Sequence, residues 1–346
     1  LIAFYLPQFH PIPENDEWWG KGFTEWTNVA KAKPLFKGHH QPHIPADLGF
    51  YDLRVPEIRQ AQADLAEEYG IHGFCYYHYW FNGKRLLERP FQEVLELGEP
   101  DFPFCLCWAN QSWAGIWHGA PDRILIEQTY PSKSDYENHF YSLLPAFQDH
   151  RYICVDEKPL FIIYKPRQIP NVKSYISIWQ KLAKSNGLKG IYFLGLEYPD
   201  WEFQKDGFDG LLVDDFGIAY DVLFKNQKSY ISKLIRRVSK RNIDPLLRRL
   251  FDKPLRLKYQ DLLRVGLYNI MPGSDHYNLV VPNWDNTPRN KSRGYLLENS
   301  SPDLFRVLLQ EATKNLMNKP KEKQYIFIKS WNEWAEGNYL EPDQKF

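Results

Sequence analysis

The sequence predicts an α/β protein folded as a single (β/α)8 (TIM) barrel over residues 1–346. Eight short apolar runs recur along the chain, with helical patterns between them. Most runs are continuously hydrophobic, which is typical of parallel strands that are covered on both faces. No glycine-rich phosphate turn follows the first run, and this disfavours an open doubly wound sheet. Together these observations favour the barrel.

The predicted strands and helices alternate in chain order. The strands are residues 2–9, 73–81, 103–110, 159–166, 191–197, 210–217, 277–285 and 325–333, and crossover helices are predicted within residues 55–70, 134–147, 174–187 and 301–320. The first of these helices places Ile58, Leu65 and Tyr69 on one face, as an amphipathic helix packed on a sheet requires.

The last crossover helix carries the clearest start signal. Ser301 suits the N-cap, and Pro302 suits the first helical position. Its buried stripe is predicted to comprise Leu304, Phe305, Leu308, Leu309 and Ala312. No helical pattern follows the eighth strand, so the final helix of the barrel is missing, and the chain opens inside a strand without Met. We therefore expect the sequence to be a segment of a longer protein.

Two segments are too long for simple connections. Residues 10–55 form a Pro- and His-rich loop after strand one, and we expect this loop to lie over the active-site face. Residues 221–270 predict a basic helical insertion after strand six, with Leu and Ile between the basic residues. Two interpretations of this insertion stay open, a solvated helical excursion or an amphipathic surface for anionic lipid or a lipid-linked glycan.

Charge and cysteine content limit the classes of function. Lys plus Arg number 43, as do Asp plus Glu, so no overall field indicates nucleic acid as a partner. Cys75, Cys105, Cys107 and Cys154 lie in strand-like contexts and predict small core residues instead of a disulfide scaffold. They fit a reducing compartment. No signal peptide or membrane-spanning apolar stretch is present in the sequence.

The predicted strand ends carry the candidate site. In this fold the active site lies at the carboxyl ends of the strands. The residues at these ends are polar or aromatic: Gln8, His10, Tyr77, His78, Trp80, Trp108, Asn110, Tyr164, Lys165, Glu197, Asp214, Asp215, Asn283, Trp284, Asp285, Asn332, Glu333 and Glu336. Carboxylates and amides beside stacking rings are the lining that a carbohydrate site needs, so we predict an oligo- or polysaccharide substrate.

The segment "WNEWAEG", residues 331–337, holds the candidate catalytic pair. Residues three apart in an extended strand point to opposite faces, so Glu333 and Glu336 converge only if the chain turns between them. The small Ala335 and Gly337 permit such a turn. Glycoside cleavage uses two carboxyl groups, and different burial separates their pKa values into an acid and a base. The alternative is that these glutamates cap a helix or form salt bridges.

Other motifs carry less weight. His39, His40 and His43 in "HHQPH" are potential metal ligands, but no matching carboxylate spacing accompanies them. We predict a loop packed on the rim, and neither a metal nor another cofactor. The chain contains no Walker-type loop, no G-x-S-x-G and no Asp-x-Asp. Their absence disfavours nucleotide hydrolysis, serine-hydrolase chemistry and a metal-dependent nucleotide-sugar site.

Long motifs along the whole chain resemble a known family. They are "FYLPQFHPIPEND", "GFTEWTNV", "HIPADLGFYDLR", "GFCYYHYWF", "LCWANQSW" and "WNEWAEGNYLEPD". They resemble the WbsX-like family, bacterial proteins of surface-polysaccharide (O-antigen) gene clusters that are often labelled glycosyltransferases. That family is in turn similar to glycoside hydrolase family 99, the endo-α-mannosidases and endo-α-mannanases.

The resemblance implies a (β/α)8 barrel with metal-free retaining chemistry on α-mannoside-like sugars. Glu333 would be the base that deprotonates the sugar 2-hydroxyl, whose oxygen attacks C1 to give a 1,2-anhydro sugar. Glu336 would protonate the departing oxygen and then activate the acceptor. The predicted substrate-binding residues are His10, Trp26, Tyr77, His78, Trp80, Trp108, Asn110, Glu197, Asp214, Asn283, Trp331, Asn332 and Trp334. The resemblance to the hydrolases offers no counterpart for the basic insertion at residues 221–270.

Three functions stay open at this point. The leading hypothesis is a retaining endo-glycosidase or transglycosidase that acts on a bacterial surface polysaccharide. The second is a glycosyltransferase of O-antigen biosynthesis that uses a nucleotide- or lipid-linked donor, and the third is a non-catalytic glycan-binding barrel. We predict a cytoplasmic location, with peripheral contact to the inner membrane through residues 221–270 as the second option. The sequence does not determine the oligomeric state.

Overall fold

The computed structural model describes residues 1–115, 120–214, 216–220, 253–265, 275–314, 316–317 and 319–346. Its core is a closed barrel of parallel strands: β1 (Ile2–Tyr5), β2 (Phe74–Phe81), β3 (Phe104–Trp108), β4 (Lys158–Ile163), β5 (Tyr192–Leu196), β6 (Gly210–Asp214), β7 (His276–Val280) and β8 (Phe327–Ile328). Neighbours in this order pair in parallel, and β1 also pairs with β8, which closes the sheet. Each strand overlaps one of the eight apolar runs, so the predicted (β/α)8 fold is confirmed.

Helices surround the barrel and also extend its loops. They are α1 (Pro13–Trp19), α2 (Glu25–Lys31), α3 (Pro56–Glu68), α4 (Arg89–Leu97), α5 (Lys133–Phe147), α6 (Val172–Ser185), α7 (Tyr259–Arg264), α8 (Thr287–Asn290) and α9 (Pro302–Lys314). The backbone N–H of Leu304 donates to Oγ of Ser301, which confirms the predicted cap of α9. Between β8 and Phe346 the described residues form no α-helix, as the sequence predicts.

The face through which helix α3 packs on the barrel overlaps the predicted one only in part. Tyr69, just after the helix, is 71% exposed, and Ile58 and Leu65 are only half-buried. The buried positions are Arg59, Gln62, Ala63 and Ala66. Two of them are polar, and both find partners: Arg59 pairs with Glu93, and Gln62 donates to Glu341. The predicted face was therefore right for Ile58 and Leu65, which pack against the core, and wrong for Tyr69. The most buried positions of the helix include paired polar side chains, which a choice by apolar residues alone does not find.

The cysteines differ in their environments. Cys75 in β2 and both cysteines of β3, Cys105 and Cys107, are buried and free, as predicted. Cys154 is free but exposed, so its prediction as a core residue was wrong. It lies in a two-residue strand that pairs with β4 at the edge of the barrel, where its side chain faces outward.

Of the two long segments, residues 10–55 are described throughout and residues 221–270 only in part. Residues 10–55 contain α1 and α2 and reach the chain after β8, where the N–H of Ala46 donates to the carbonyl of Pro342. Of the predicted insertion 221–270, residues 221–252 and 266–270 lie outside the described residues. The described part contains α7 and the strand Leu255–Lys258, which pairs in parallel with Tyr295–Glu298. Its contact with a membrane or a lipid-linked glycan stays a prediction.

Among the helices of the described ranges, none is both long and apolar enough to traverse a lipid bilayer.

Acidification is expected to destabilise the wall between β2 and α5, because two histidines are buried there in neutral form. Nε2 of His78 lies 2.9 Å from Nε2 of His139, so one ring donates and the other accepts. Burial lowers the pKa of both imidazoles well below the usual value, and Arg85 adds to the effect. The unfolded chain takes up these protons below about pH 6.5 and the folded chain does not. The free energy of unfolding therefore falls as the pH drops, by about 1.4 kcal/mol per pH unit for each histidine.

The variant His139→Gln tests this expectation. Glutamine can still hydrogen-bond to His78, but it does not titrate. Urea unfolding between pH 6.5 and 5 should show a slope about 1.4 kcal/mol per pH unit shallower than that of the wild type. His150→Gln is the control, since the side chain of His150 is 79% exposed. Equal slopes for His139→Gln and the wild type would contradict the buried neutral pair.

Candidate active site

A cavity of about 490 Å³ lies at the carboxyl ends of the barrel strands. Its lining includes residues at or just beyond these ends: Leu6 after β1, Tyr77 within β2, Ala109 after β3, Tyr164 after β4, Asp214 in β6 and Lys329 after β8. Carboxylates, a lysine, an arginine and aromatic rings share the wall. This is the place and the type of lining that the strand ends predict.

The "WNEWAEG" segment turns sharply at the cavity wall. Asn332–Glu333 pairs antiparallel with Asn338–Tyr339, and the 3-10 turn Trp334–Glu336 lies between them. Gly337 has φ +55°, and a Cβ at this position would lie 2.8 Å from the backbone N of Asp285. Glycine is thus required both by its conformation and by the close approach of the next segment. The turn that the sequence requires between the two glutamates is present.

One arginine connects the two glutamates. Nη2 of Arg289, in α8, donates to Oε1 of Glu333 at 2.5 Å, and Nη1 lies 2.7 Å from Oε1 of Glu336. The side chains of Arg289 and Glu333 are buried, whereas that of Glu336 is 21% exposed. Both carboxylates also line the cavity. A planar guanidinium can hold two carboxylates in fixed positions, so the pair is oriented before any ligand binds.

Burial and neighbouring charges set the protonation of Glu333. Burial raises its pKa to about 8, the positive charge of Arg289 opposes this rise, and the negative charges of Glu336 and Glu25 add to it. The carboxyl group therefore exchanges its proton close to neutral pH, the range in which an acid–base catalyst is most effective.

A second ion pair lines the cavity. Nζ of Lys329 is 2.9 Å from Oδ2 of Asp214 and 5.3 Å from the ring centre of Trp284. Burial opposes the charge of Lys329, yet Asp214 and Tyr164 keep its pKa above the usual value. The ring of Trp284 stacks on Tyr295 with 9° between the planes. This wall combines polar groups with flat aromatic surface.

The "HHQPH" loop supports the active-site turn from outside. Nε2 of His39 and Nε2 of Gln41 contact the same oxygen of Asp285, at 2.8 and 2.7 Å. Burial opposes ionisation of Asp285, but the hydrogen bonds from His39, Thr287 and Gln41 hold its pKa below the usual value. The backbone N–H of Asp285 donates to the carbonyl of Glu336. His39 therefore lies on the rim, where it holds the backbone that carries the catalytic candidates.

Glu341 anchors the same turn from below. Its carboxylate accepts hydrogen bonds from Tyr51, Gln62 and Nε1 of Trp334, at 2.8, 2.6 and 2.6 Å. Burial raises the pKa of Glu341 to about 7, although these donors oppose the rise. The variant Glu341→Gln places an amide N–H against one of the donors. We expect it to lower the free energy of unfolding by about 1–3 kcal/mol, measured by urea unfolding at pH 8.

The same comparison at pH 5 provides the control. The folded-state pKa of Glu341 is raised, so its ionisation costs stability as the pH rises through about 7. At pH 5 the folded wild type keeps the proton of Glu341, which the unfolded chain has largely lost, so this group adds stability there. Glutamine does not titrate. We therefore expect the advantage of the wild type over Glu341→Gln to be larger at pH 5 than at pH 8, and a difference that does not depend on pH would refute this account.

Of the predicted catalytic and substrate-binding residues, four line the cavity: Tyr77, Asp214, Glu333 and Glu336. Three further candidates from the predicted strand ends also line it: Gln8, Tyr164 and Trp284. The other predicted binding residues do not line it: His10, Trp26, His78, Trp80, Trp108, Asn110, Glu197, Asn283, Trp331, Asn332 and Trp334. In β2 the reason is the alternation of side chains along a strand. Tyr77 and Tyr79 face the cavity, so His78 and Trp80 face α5, where Trp80 donates to Asp135.

Several of these residues instead stabilise the rim. Asn332 bonds both backbone groups of Leu6, and Asn110 bonds both backbone groups of Lys165, so each amide ties two strand ends together. Trp26 packs against Trp334 with ring centres 5.5 Å apart.

The remaining five make contacts outside the cavity. Trp108 stacks on Tyr175, and burial lowers the pKa of His10 to about 4. An oxygen of Glu197 accepts from the next backbone N–H. Asn283 and Trp331 lie at another cavity, of about 680 Å³, on the flank between α3 and α9.

Three important residues were not predicted from the sequence. Tyr79 could have been found from the alternation that places Tyr77 in the cavity, and Lys329 ends the apolar run "YIFIK". Arg289 carries no such signal, because it lies in a loop after the predicted strand seven. Its role becomes visible only when the chain brings it to Glu333, 44 positions away.

Comparisons with known proteins agree with this architecture. A structure described as the GH99 endo-alpha-mannosidase from Bacteroides thetaiotaomicron matches with a TM-score of 0.56 at 15% identity, covering 99% of this chain and 87% of that one. A "Glycoside hydrolase-like protein" matches with a TM-score of 0.52 at 12% identity, covering 94% and 93%. At such low identity these likenesses establish the barrel fold alone.

Sequence relatives are more similar. The "Uncharacterized protein WxcX" of Xanthomonas campestris pv. campestris strain B100 is 39% identical over 359 residues, which covers all of this chain and 47% of the relative. The same values hold for WxcX of strain ATCC 33913. The chain therefore spans about half the length of the curated relatives it matches. The family model described as "Glycosyltransferase WbsX" matches residues 1–346, and the chain belongs to this WbsX family.

Proposed function

We propose that this barrel is a carbohydrate-active enzyme that cleaves or transfers glycosyl residues of a bacterial surface polysaccharide. The observation that carries the proposal is the pair Glu333 and Glu336, which face one cavity and contact one guanidinium. Two carboxyl groups on a cavity with aromatic walls are the requirement for glycoside chemistry. The WbsX family and the fold shared with a GH99 endo-alpha-mannosidase support the same class of activity.

The proposed chemistry requires one glutamate to be ionised, so that it acts as the base, and the other to be protonated, so that it acts as the acid. Glu333 lies deeper in the wall, where it faces the buried glycosyl unit, and we assign it as the base that accepts the proton of the sugar 2-hydroxyl. Glu336 is the more exposed of the two, so it can reach a leaving group or an acceptor that connects to solvent. We assign it as the acid that protonates the departing oxygen and then as the base that activates the acceptor.

The raised pKa of Glu333 adds a step before the chemistry. In the free cavity the shared proton lies on Glu333, because this carboxyl has a pKa of about 8. Productive binding then requires the proton on Glu336 and an ionised Glu333. A carboxylate with a raised pKa is also a stronger base once it has lost its proton. The 2-hydroxyl oxygen attacks C1 as the glycosidic bond breaks, and the 1,2-anhydro sugar opens when the acceptor adds.

Charge pairing in the cavity favours this proposal over a diphosphate-linked donor. Among the described residues, the cations that line the cavity are Arg289 and Lys329. Both contact carboxylates, and Arg289 contacts three of them. A diphosphate would have to displace these acids and would face their negative charge. A neutral glycan meets no such penalty. The glycosyltransferase with a nucleotide- or lipid-linked donor is therefore the second candidate, supported by the name of the family.

The decisive experiment is a substrate screen with stereochemical readout. Wild-type protein is incubated with α-mannosides and bacterial surface oligosaccharides, with and without an acceptor sugar, and NMR follows the anomers of the products. Retention at the anomeric carbon without a nucleotide donor supports the proposal. Turnover that requires a nucleotide-sugar would favour the second candidate, and oligosaccharide binding without any reaction would favour a glycan-binding barrel.

A further inference from the structure

A third buried carboxylate reaches the catalytic candidates from the loop after β1. Glu25, at the start of α2, is 1% exposed. Its Oε2 accepts from Nε of Arg289 at 3.1 Å and lies 3.1 Å from Nη2. The long segment 10–55 thereby places a charge against the arginine that holds Glu333 and Glu336.

Glu25 and Glu333 compete for the same nitrogen of Arg289. Its Nη2 lies 2.5 Å from Glu333 and 3.1 Å from Glu25, so the same nitrogen serves two carboxylates. Nη1 contacts Glu336. Among the described residues, the guanidinium of Arg289 thus contacts three carboxyl groups. Its one positive charge cannot balance all three, and Lys329, which lies toward Glu336, is already paired with Asp214. Retention of a proton by one carboxyl is therefore the cheaper solution.

We propose that Glu25 is a positioning residue that acts through Arg289 and determines how readily Glu333 gives up its proton. The catalytic importance of this control rests on the proposed function. The charge coupling itself does not, because it can be measured without any substrate.

Of the charged and titratable groups that face Glu333, Glu25 is the one whose effect on Glu333 can be tested by substitution without altering the proposed catalytic groups. Glu336 and Arg289 belong to the proposed machinery. From β2, Tyr77 and Tyr79 face Glu333, and burial raises the pKa of both phenols well above the usual value, so they are neutral near pH 7. The Lys329–Asp214 pair is already balanced and lies toward Glu336.

Removing the charge of Glu25 should make Glu333 more acidic. In Glu25→Gln the amide oxygen can still accept from Arg289, but the negative charge is gone and Nη2 is drawn fully to Glu333. We expect the pKa of Glu333 to fall by about one unit or more. If the proposed function holds, the basic limb of the pH profile of kcat/KM, which reports loss of the proton that Glu333 holds in the free cavity, shifts to lower pH by the same amount.

The experiment is a carboxyl titration by NMR on protein labelled with [δ-13C]glutamate. The signal of Glu333 is assigned by its loss in Glu333→Gln. Its midpoint is then compared in the wild type, Glu25→Gln and Glu25→Asp, with Glu93→Gln as the control. Glu93 forms an equivalent ion pair with Arg59, but it does not line the cavity. A lower midpoint in Glu25→Gln, and a nearly wild-type midpoint in Glu25→Asp and Glu93→Gln, supports the proposal.

Two results would overturn it. One is an unchanged midpoint of Glu333 in folded Glu25→Gln, and the other is an equal shift in Glu25→Asp, which would reflect packing instead of charge. A second variant covers the case in which Glu25→Gln does not fold. Glu25→Met also removes the negative charge at similar side-chain length, and it must likewise lower the midpoint of Glu333. Failure to find a glycoside substrate would contradict the proposed function, but the titrations would still test the coupling between Glu25 and Glu333.

Discussion

Glu333→Gln is expected to lower kcat/KM for any glycoside that the protein turns over by about 10²–10⁴-fold, the usual contribution of a positioned acid or base. Glutamine keeps the size of the side chain and can still accept from Arg289, but it cannot take a proton from a sugar hydroxyl. The measurement is the initial rate of product formation by NMR, with thermal unfolding as a check that the variant is folded. A variant with wild-type turnover would remove Glu333 from the mechanism.

Leaving-group chemistry separates the two roles. A glycosyl fluoride departs with little need for protonation, so it should restore much of the first step in Glu336→Gln, where the acid is lost. It should not restore Glu333→Gln, where the base is lost. The opposite pattern would exchange the assigned roles and would place the catalytic proton on Glu333, where the raised pKa puts it in the free cavity.

Arg289→Met is expected to cause the largest loss of stability, about 3–5 kcal/mol in the free energy of unfolding at pH 8, because it leaves uncompensated buried charge. Glu25, Glu333 and Glu336 would then face one another without a cation. Urea unfolding measures the loss. Without the arginine the folded-state pKa values of these carboxyls rise above their unfolded values, so the variant should recover stability as the pH falls toward about 4.5.

A surface arginine provides the matched control. Arg306 pairs with Asp303 on α9, and both side chains are mostly exposed. Arg306→Met should therefore change stability by no more than about 1 kcal/mol and should show no recovery at low pH. If Arg289→Met were as stable as Arg306→Met, the three carboxylates would not depend on the guanidinium, and the proposed control of Glu333 by Glu25 would lose its intermediary.

The parts of the site that depend on neighbouring residues in the sequence were predicted better than those that depend on distant residues. The turn at Glu333 and Glu336 could be inferred from seven consecutive residues, because strand geometry and small side chains are local properties. The aromatic wall was predicted with mixed success. Strand ends were located well, but the side chains were assigned to the cavity by type instead of by alternation, so His78 and Trp80 were placed on the wrong side of β2.

The sequence by itself determined the order of strands and helices, the closed barrel and the glutamate pair after β8. The spacing of apolar residues, the helix caps and the glycine positions are local features, because each depends on residues that lie within a few positions of one another. Only the tertiary structure decided which charges meet. Glu25, Arg289 and Glu333 come from three distant segments, and the energy of a buried charge depends on its neighbours in space. The protonation state of the site is therefore a property of the folded barrel, because only folding places Arg289 in contact with Glu25, Glu333 and Glu336.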